Sequence, residues 1–92
     1  MSDKQILVTV SGVDKVGIVA RVTAELAKLK VNIEDIKQTL MQGHFVMFLL
    51  ANIENSPRTF AEIKENLVNA GKEMGMEIWV QRKEIVDSMH NI

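Results

Sequence analysis

The sequence contains no cysteine. Disulfides, thiolate metal sites and thiol nucleophiles are therefore excluded, and a reducing, cytoplasmic setting is the expectation. Tyrosine is also absent, and one tryptophan with three phenylalanines brings the aromatic share to only 4%. That supply is thin for the stacking platforms on which single-stranded nucleic acid binds. Neither sign of charge is in excess: 11 basic and 12 acidic residues give a formal net charge of −1. Without a basic surplus there are few counterions to release from a phosphate backbone, so no nucleic-acid partner is expected. The longest apolar run extends only from Phe45 to Ala51, against the roughly 20 residues a bilayer span requires. The opening Met1-Ser2-Asp3-Lys4-Gln5 precedes an apolar stretch too short for a signal-peptide core. Neither a membrane location nor a leader is expected.

What is present is ordinary for a globular protein. The 92 residues are 47% hydrophobic and 25% charged, and that length supports one domain, residues 1–92, rather than two cores. A chain of this size buries roughly 60–65% of its unfolded surface, enough for a modest core but not for a deep enclosed active site. Small domains of this kind often gain stability by associating.

Hydrophobic periodicity divides the chain. Residues 5–11 alternate, with Ile6, Val8 and Val10 on one face and Leu7, Thr9 and Ser11 on the other, which predicts a strand. A turn with two glycines follows at 12–17. From Ile18 the spacing becomes helical, with Ile18, Val19, Val22, Leu26 and Leu29 as the stripe and an end near Lys30. Asn32 opens a mixed polar and apolar stretch, read as an edge strand. Gln42-Gly43-His44 reads as a hairpin turn. Phe45 to Ile53 is the most apolar strand, with Phe45, Met47 and Leu49 opposite Val46, Phe48 and Leu50. Ser56 as N-cap and Pro57 at the first helical position predict a helix start. Phe60, Ile63, Leu67, Ala70 and Met74 form its stripe, and Gly75 stops it. Met76, Ile78 and Val80 then alternate with Glu77, Trp79 and Gln81 in a fourth strand. In the tail, 83–92, Ile85, Val86, Met89 and Ile92 fall at helical spacing.

The order βαββαβ with right-handed crossovers predicts an α+β, ferredoxin-like sandwich. Its antiparallel sheet takes the order 4-1-3-2, both helices lie on one face, and a short helical tail follows the core at 5–82. One sheet face is then left uncovered although both central strands carry apolar residues on both faces. An apolar face of that kind marks an interaction surface, and a homodimer contacting through Leu7, Met47 and Trp79 is the simplest occupant. Met41, beside the hairpin, is assigned to the same surface.

Few constellations carry chemistry. The turn Gly12-Val13-Asp14-Lys15-Val16-Gly17 leads into a helix N-terminus, where free N–H groups and the dipole could hold a carboxylate or phosphate. It could equally be a plain βα turn whose glycines relieve strain. The Gly-x-x-x-x-Gly spacing lacks the Lys-Ser/Thr of a P-loop. Asn32 can donate to and accept from an amino-acid ligand, or simply serve as a turn or helix-capping residue. Glu34 and Asp35 alternate sides and read as solvated edge charges, not a catalytic pair. His44 reads as an exposed turn residue. Asp87 and His90 could meet at i, i+3, but two ligands make no metal site, and none is assigned. No Ser-His-Asp set, activated lysine or His-Glu-x-x-His pattern is visible, so neither an enzyme nor a cofactor is expected.

Gly12-Val13-Asp14-Lys15-Val16-Gly17-Ile18-Val19-Ala20-Arg21-Val22, followed by Leu26-Ala27 and Val31-Asn32-Ile33-Glu34-Asp35-Ile36, resembles an ACT domain. The resemblance runs from Gln5 to Arg82. The tail is similar to that of uncharacterised bacterial and archaeal proteins made of one such domain, and the chain resembles the ACT domains of a glycine-cleavage-system regulator. The resemblance implies a regulatory βαββαβ module that pairs and binds a small molecule, often an amino acid, between two copies. The implied ligand residues are Asp14, Lys15, Val16, Gly17 and Ile18 of the turn, with Asn32 and Ile33. Val16 stands where many members have proline, which leaves this turn less rigid. Most such domains are joined to the enzyme or DNA-binding domain they regulate, so action in trans is expected here. The alternative is a ligand-free adaptor that binds a metabolic enzyme or transcriptional regulator through the exposed sheet face or tail.

Overall fold

The computed structural model describes residues 4–90. Met1–Asp3, read above against a leader, and Ile92 of the tail stripe lie outside the described residues, as does the His90 side chain. Strand β1 (Gln5–Val13) leads to helix α1 (Ile18–Lys28), then β2 (Asn32–Met41) and β3 (His44–Asn52). Helix α2 (Phe60–Met74), strand β4 (Glu77–Arg82) and a short helix α3 (Lys83–His90) complete the order. The four strands are antiparallel neighbours in the order β2-β3-β1-β4, the predicted order read from the other edge. The fold is the expected ferredoxin-like sandwich.

The core follows from strand alternation. Ile6, Val8 and Val10 of β1 are fully buried, as are Met47, Leu49 and Ala51 of β3. They meet Val22 and Leu26 of α1 and Ile63 and Leu67 of α2. Helix α1 lies over the β2 side and α2 over the β4 side. At the lower end the Arg82 guanidinium stacks 4.4 Å from the centre of the Phe60 ring, a cation–π contact that closes the core. Helix α3 lies against β1 and β4.

Four local expectations need correction. Met47 is not on the open face: its cross-strand partner is Val10, facing residues share a side, and Met47 is 0% exposed beneath the helices. Gly12 is not a turn residue but part of β1, where a Cβ would stand 2.6 Å from Met76 Sδ; the glycine permits close packing of β1 beneath Met76. Helix α2 starts three residues later than expected, because Thr59 is its N-cap and forms a capping box with Glu62. Ser56 Oγ instead donates to Leu29 O at 2.6 Å, closing the end of α1. The hairpin is a two-residue turn, Gln42–Gly43, with both φ values positive (50° and 81°), the primed geometry that fits strand twist. His44 therefore begins β3.

Candidate functional site

The β1–α1 loop is built by backbone. Val13 ends β1 beside His44, and the Asp14 N–H donates to Gly43 O at 3.0 Å, anchoring the loop to the hairpin. Gly17 then takes a left-handed conformation (φ 89°) as the N-cap of α1. No side chain caps this helix, and no acidic residue stands in its first turn, so the positive end of α1 is left to solvent or an anion. Beside it is a hollow of about 210 Å³ lined by Lys15, Val16, Gly17, Ile18, Arg21 and Met74. Val16 is fully exposed, and Ile18 is buried in the core.

Two long-range contacts clamp this end of the molecule. Lys15 Nζ donates to Met74 O at 2.7 Å, placing a cation on the C-terminal carbonyls of α2. Arg21 donates to the Glu73 carboxylate and lies near Glu25. The Glu73 hydrogen bond raises the Arg21 pKa above its usual value. Sequence reasoning missed both contacts, since their partners are more than fifty positions away.

Asn32 and Ile33 lie elsewhere. Asn32 opens β2 and pairs with Asn52, which in turn pairs with Gln5 at the start of β1. The loop follows Val13 at the other end of β1, eight rows on, or roughly 26 Å at ~3.3 Å per residue. One chain therefore does not bring its loop and its Asn32 together. Lys30, not Asn32, takes the left-handed conformation after α1 (φ 58°). Around Asn32 the polar groups are organised. An extra residue in β2 between Ile33 and Asp35 leaves Glu34 accepting from Gln5 Nε2 at 2.7 Å and Asn52 Nδ2 at 3.5 Å. Glu34 is an exposed edge charge, as the sequence suggested, and these two hydrogen bonds are what the sequence did not show. Its bulge has no local sequence signal.

The sheet face opposite α1 and α2 carries Leu7, Thr9 and Ser11, then Val46, Phe48 and Leu50, with Trp79 beside Thr9. Trp79 is 62% and Phe48 44% exposed, and Leu7 is half-buried. Met41 is exposed at the end of β2. Ser11 Oγ and His44 Nε2 stand 3.0 Å apart on this face. Among the described residues no carboxylate is hydrogen-bonded to the His44 ring, so the pair is not a triad. Also among the described residues, no three His, Cys, Asp or Glu side chains cluster for a metal, and no helix is long and apolar enough to cross a membrane.

Known proteins share this architecture. Residues 4–81 match the family model of the ACT domain. The UPF0237 protein of Listeria innocua is 42% identical over 86 residues, covering 94% of this chain and 97% of that protein. Among solved structures, an ACT domain protein from Streptococcus pneumoniae superposes with a TM-score of 0.79 at 30% identity, over 89% of this chain and 92% of that one. A putative glycine cleavage system transcriptional repressor shares the fold at 20% identity, with a TM-score of 0.75 over 85% of this chain and 44% of that one. Matched over most of its length by both model and relative, the chain belongs to the ACT domain family.

Proposed function

We propose that this chain is a non-enzymatic regulatory module that binds a small amino acid between two copies of itself and signals to a separate protein. The observation that carries this reading is the split of the loop and Asn32 between opposite ends of one chain. Two antiparallel copies set side by side bring the loop of one to the Asn32 end of the other. The uncapped start of α1, with backbone N–H groups of the Gly17–Ile18 turn, suits the ligand carboxylate. Asn32 and Ile33 of the second copy supply an amide and a backbone able to meet the ammonium group. Asp14, Lys15 and Val16 shape the loop, with Lys15 held on α2 until a ligand competes for it. The relative that this chain spans over 97% of its length supports a signal delivered in trans, and the cysteine-free composition supports a cytoplasmic setting.

A thermal-shift screen of the twenty amino acids tests the reading. One of them should raise Tm by mass action, and Asn32→Ala should remove that shift while leaving the unliganded Tm within a degree or two. Silence from all twenty at millimolar concentration refutes the ligand.

The exposed Trp79 and Phe48 favour a second reading, the ligand-free adaptor. Side-by-side pairing leaves this face uncovered. Contact through Leu7 and Trp79 is then a separate interface, joining further copies or seating a metabolic enzyme or transcriptional regulator. Recovery of one dedicated partner that Trp79→Ala abolishes, together with a silent amino-acid screen, would establish it.

A further inference from the structure

Strand β4 is the border of the sheet on the α2 side. It pairs with β1 alone, in unbroken register from Glu77 opposite Ser11 to Arg82 opposite Ile6, and it contains no proline. The outward backbone groups of such a strand are a template for another strand. Between this edge and α2 runs a groove made of two adjoining hollows. One, of about 260 Å³, lies against Lys72, Met76 and Glu77; the other, of about 350 Å³, lies against Lys64, Val80 and Gln81. Val68, Ile78 and Trp79 line both.

The helical wall of the groove is patterned. Lys64, Val68 and Lys72 stand four positions apart on one stripe of α2, so each step along the helix is about 6 Å. Val68 is half-buried and both lysines are exposed. Among the described residues neither ammonium group takes part in a salt bridge or hydrogen bond, and no acidic residue stands three or four positions from either. Two unneutralised cations therefore flank an apolar spot.

A strand added to β4 matches that spacing. Alternate side chains of an extended chain point to one side and stand about 6.6 Å apart. Residues i, i+2 and i+4 of the added strand then meet one lysine, Val68 and the other lysine, which suits a carboxylate, an apolar side chain and a second carboxylate. This order is the same in either chain direction. Residues i+1 and i+3 turn to the open face with Glu77 and Trp79, where the Glu77 carboxylate disfavours acid. A second copy of β4 fits poorly. Its helix-side residues, Ile78, Val80 and Arg82, include no carboxylate, and two-fold pairing would set the lysine row of one α2 against that of the other.

We propose that the groove between α2 and β4 docks an extended acidic segment of a partner protein, added to the sheet as a fifth strand with the pattern acid-x-apolar-x-acid. Lys64 and Lys72 hold the two carboxylates, and Val68 packs against the apolar residue. This contact goes beyond the amino-acid site and does not depend on it.

Trp79 is the one tryptophan of the chain, and it lines both hollows, so its emission reports on the groove. The probe is the end-blocked peptide Thr-Glu-Thr-Leu-Thr-Glu-Thr, which carries no aromatic residue, titrated into the whole chain. Binding should shift the emission saturably and slow hydrogen exchange at β4 amides. Thr-Glu-Leu-Thr-Glu-Thr-Thr has the same composition but sends its glutamates to opposite sides, and it should bind about tenfold more weakly or worse. Lys64→Glu and Lys72→Glu should each weaken the first peptide about tenfold, with Tm within a degree or two of wild type because both side chains are exposed. The double variant should instead take the peptide with lysines in place of glutamates. No emission change at millimolar peptide overturns the proposal. So do equal binding of the two glutamate peptides, lysine variants that bind as well as wild type, or exchange protection that spares β4.

Discussion

Met47 and Phe48 are consecutive residues of comparable bulk on opposite sides of β3, so truncating each in turn measures how one-sided this sheet is. Met47 is 0% exposed and packed in the main core. Removing a buried methionine to alanine costs about 2–5 kcal/mol, the transfer loss plus the cavity left behind. For a chain of 92 residues, total stability is of order 5–14 kcal/mol at ~0.05–0.15 kcal/mol per residue. Met47→Ala therefore removes a large part of the total. At about 4–8 °C per kcal/mol for a domain of this size, a 3 kcal/mol loss lowers Tm by roughly 12–24 °C. Phe48 already leaves 44% of its surface in water, so its truncation gives up far less transfer energy, on the order of 1 kcal/mol. Urea titration followed by circular dichroism reads both values. It must be run across a dilution series, because association raises apparent stability. A Phe48→Ala loss that equals the Met47→Ala loss at every concentration would refute the sidedness argued here.

Gly71→Ala should lower Tm, even though helix propensity alone favours alanine by ~1 kcal/mol. Its Cβ would stand 2.9 Å from Met76 O and 2.7 Å from Ile78 Cγ1, and overpacking of about 1–3 kcal/mol outweighs the gain; a rise in Tm would mean that α2 lifts freely off β4. Thr59→Ala should cost about 1 kcal/mol by removing the N-cap of α2, read by the same titration. The Thr59 backbone N–H, and secondarily its hydroxyl, donate to Glu62 and lower the Glu62 pKa in the folded state. A lowered folded pKa gives stability that is present above the unfolded carboxylate value and lost as pH falls through the folded one. Glu62→Gln should flatten the acid limb of a Tm-against-pH curve, and an unchanged limb would count against the capping box.

How much of this was readable depended on range. The two central strands were legible because β1 and β3 are apolar on both faces, and β2 because it is polar enough to sit at an edge. The side on which Met47 lies was not legible. Phe45, Met47 and Leu49 form as apolar a set as Val46, Phe48 and Leu50, and only pairing of Met47 with Val10 and of Leu49 with Val8 breaks the tie. The start of α2 was misplaced although its signal is local: Thr59 and Glu62, three apart, spell a capping box, whereas Ser56 is drawn to the end of α1. The loop residues of the candidate site were named only through the family resemblance, since their own pattern fits a plain βα turn as well. That Lys15 is held by Met74, and Arg21 by Glu73, depends on how two distant helices meet, which no local pattern encodes.

The split site follows from the topology itself. A βαβ unit leaves β1 at one end of the sheet, returns through α1, and starts the next strand at the other end. A ligand held by both ends of that unit must bridge two copies, so its binding free energy enters the pairing equilibrium by linkage. The amino acid should tighten the dimer by the same factor by which dimerisation tightens the amino acid. A Tm shift at fixed ligand should then shrink as the protein is diluted below its dissociation constant, where the paired state that binds the ligand is depleted. Were the ligand held within one chain, the shift would not depend on protein concentration at all. Analytical ultracentrifugation with and without the amino acid separates the two cases: an unchanged dimer constant in the presence of a ligand that raises Tm would rule out a site shared between copies.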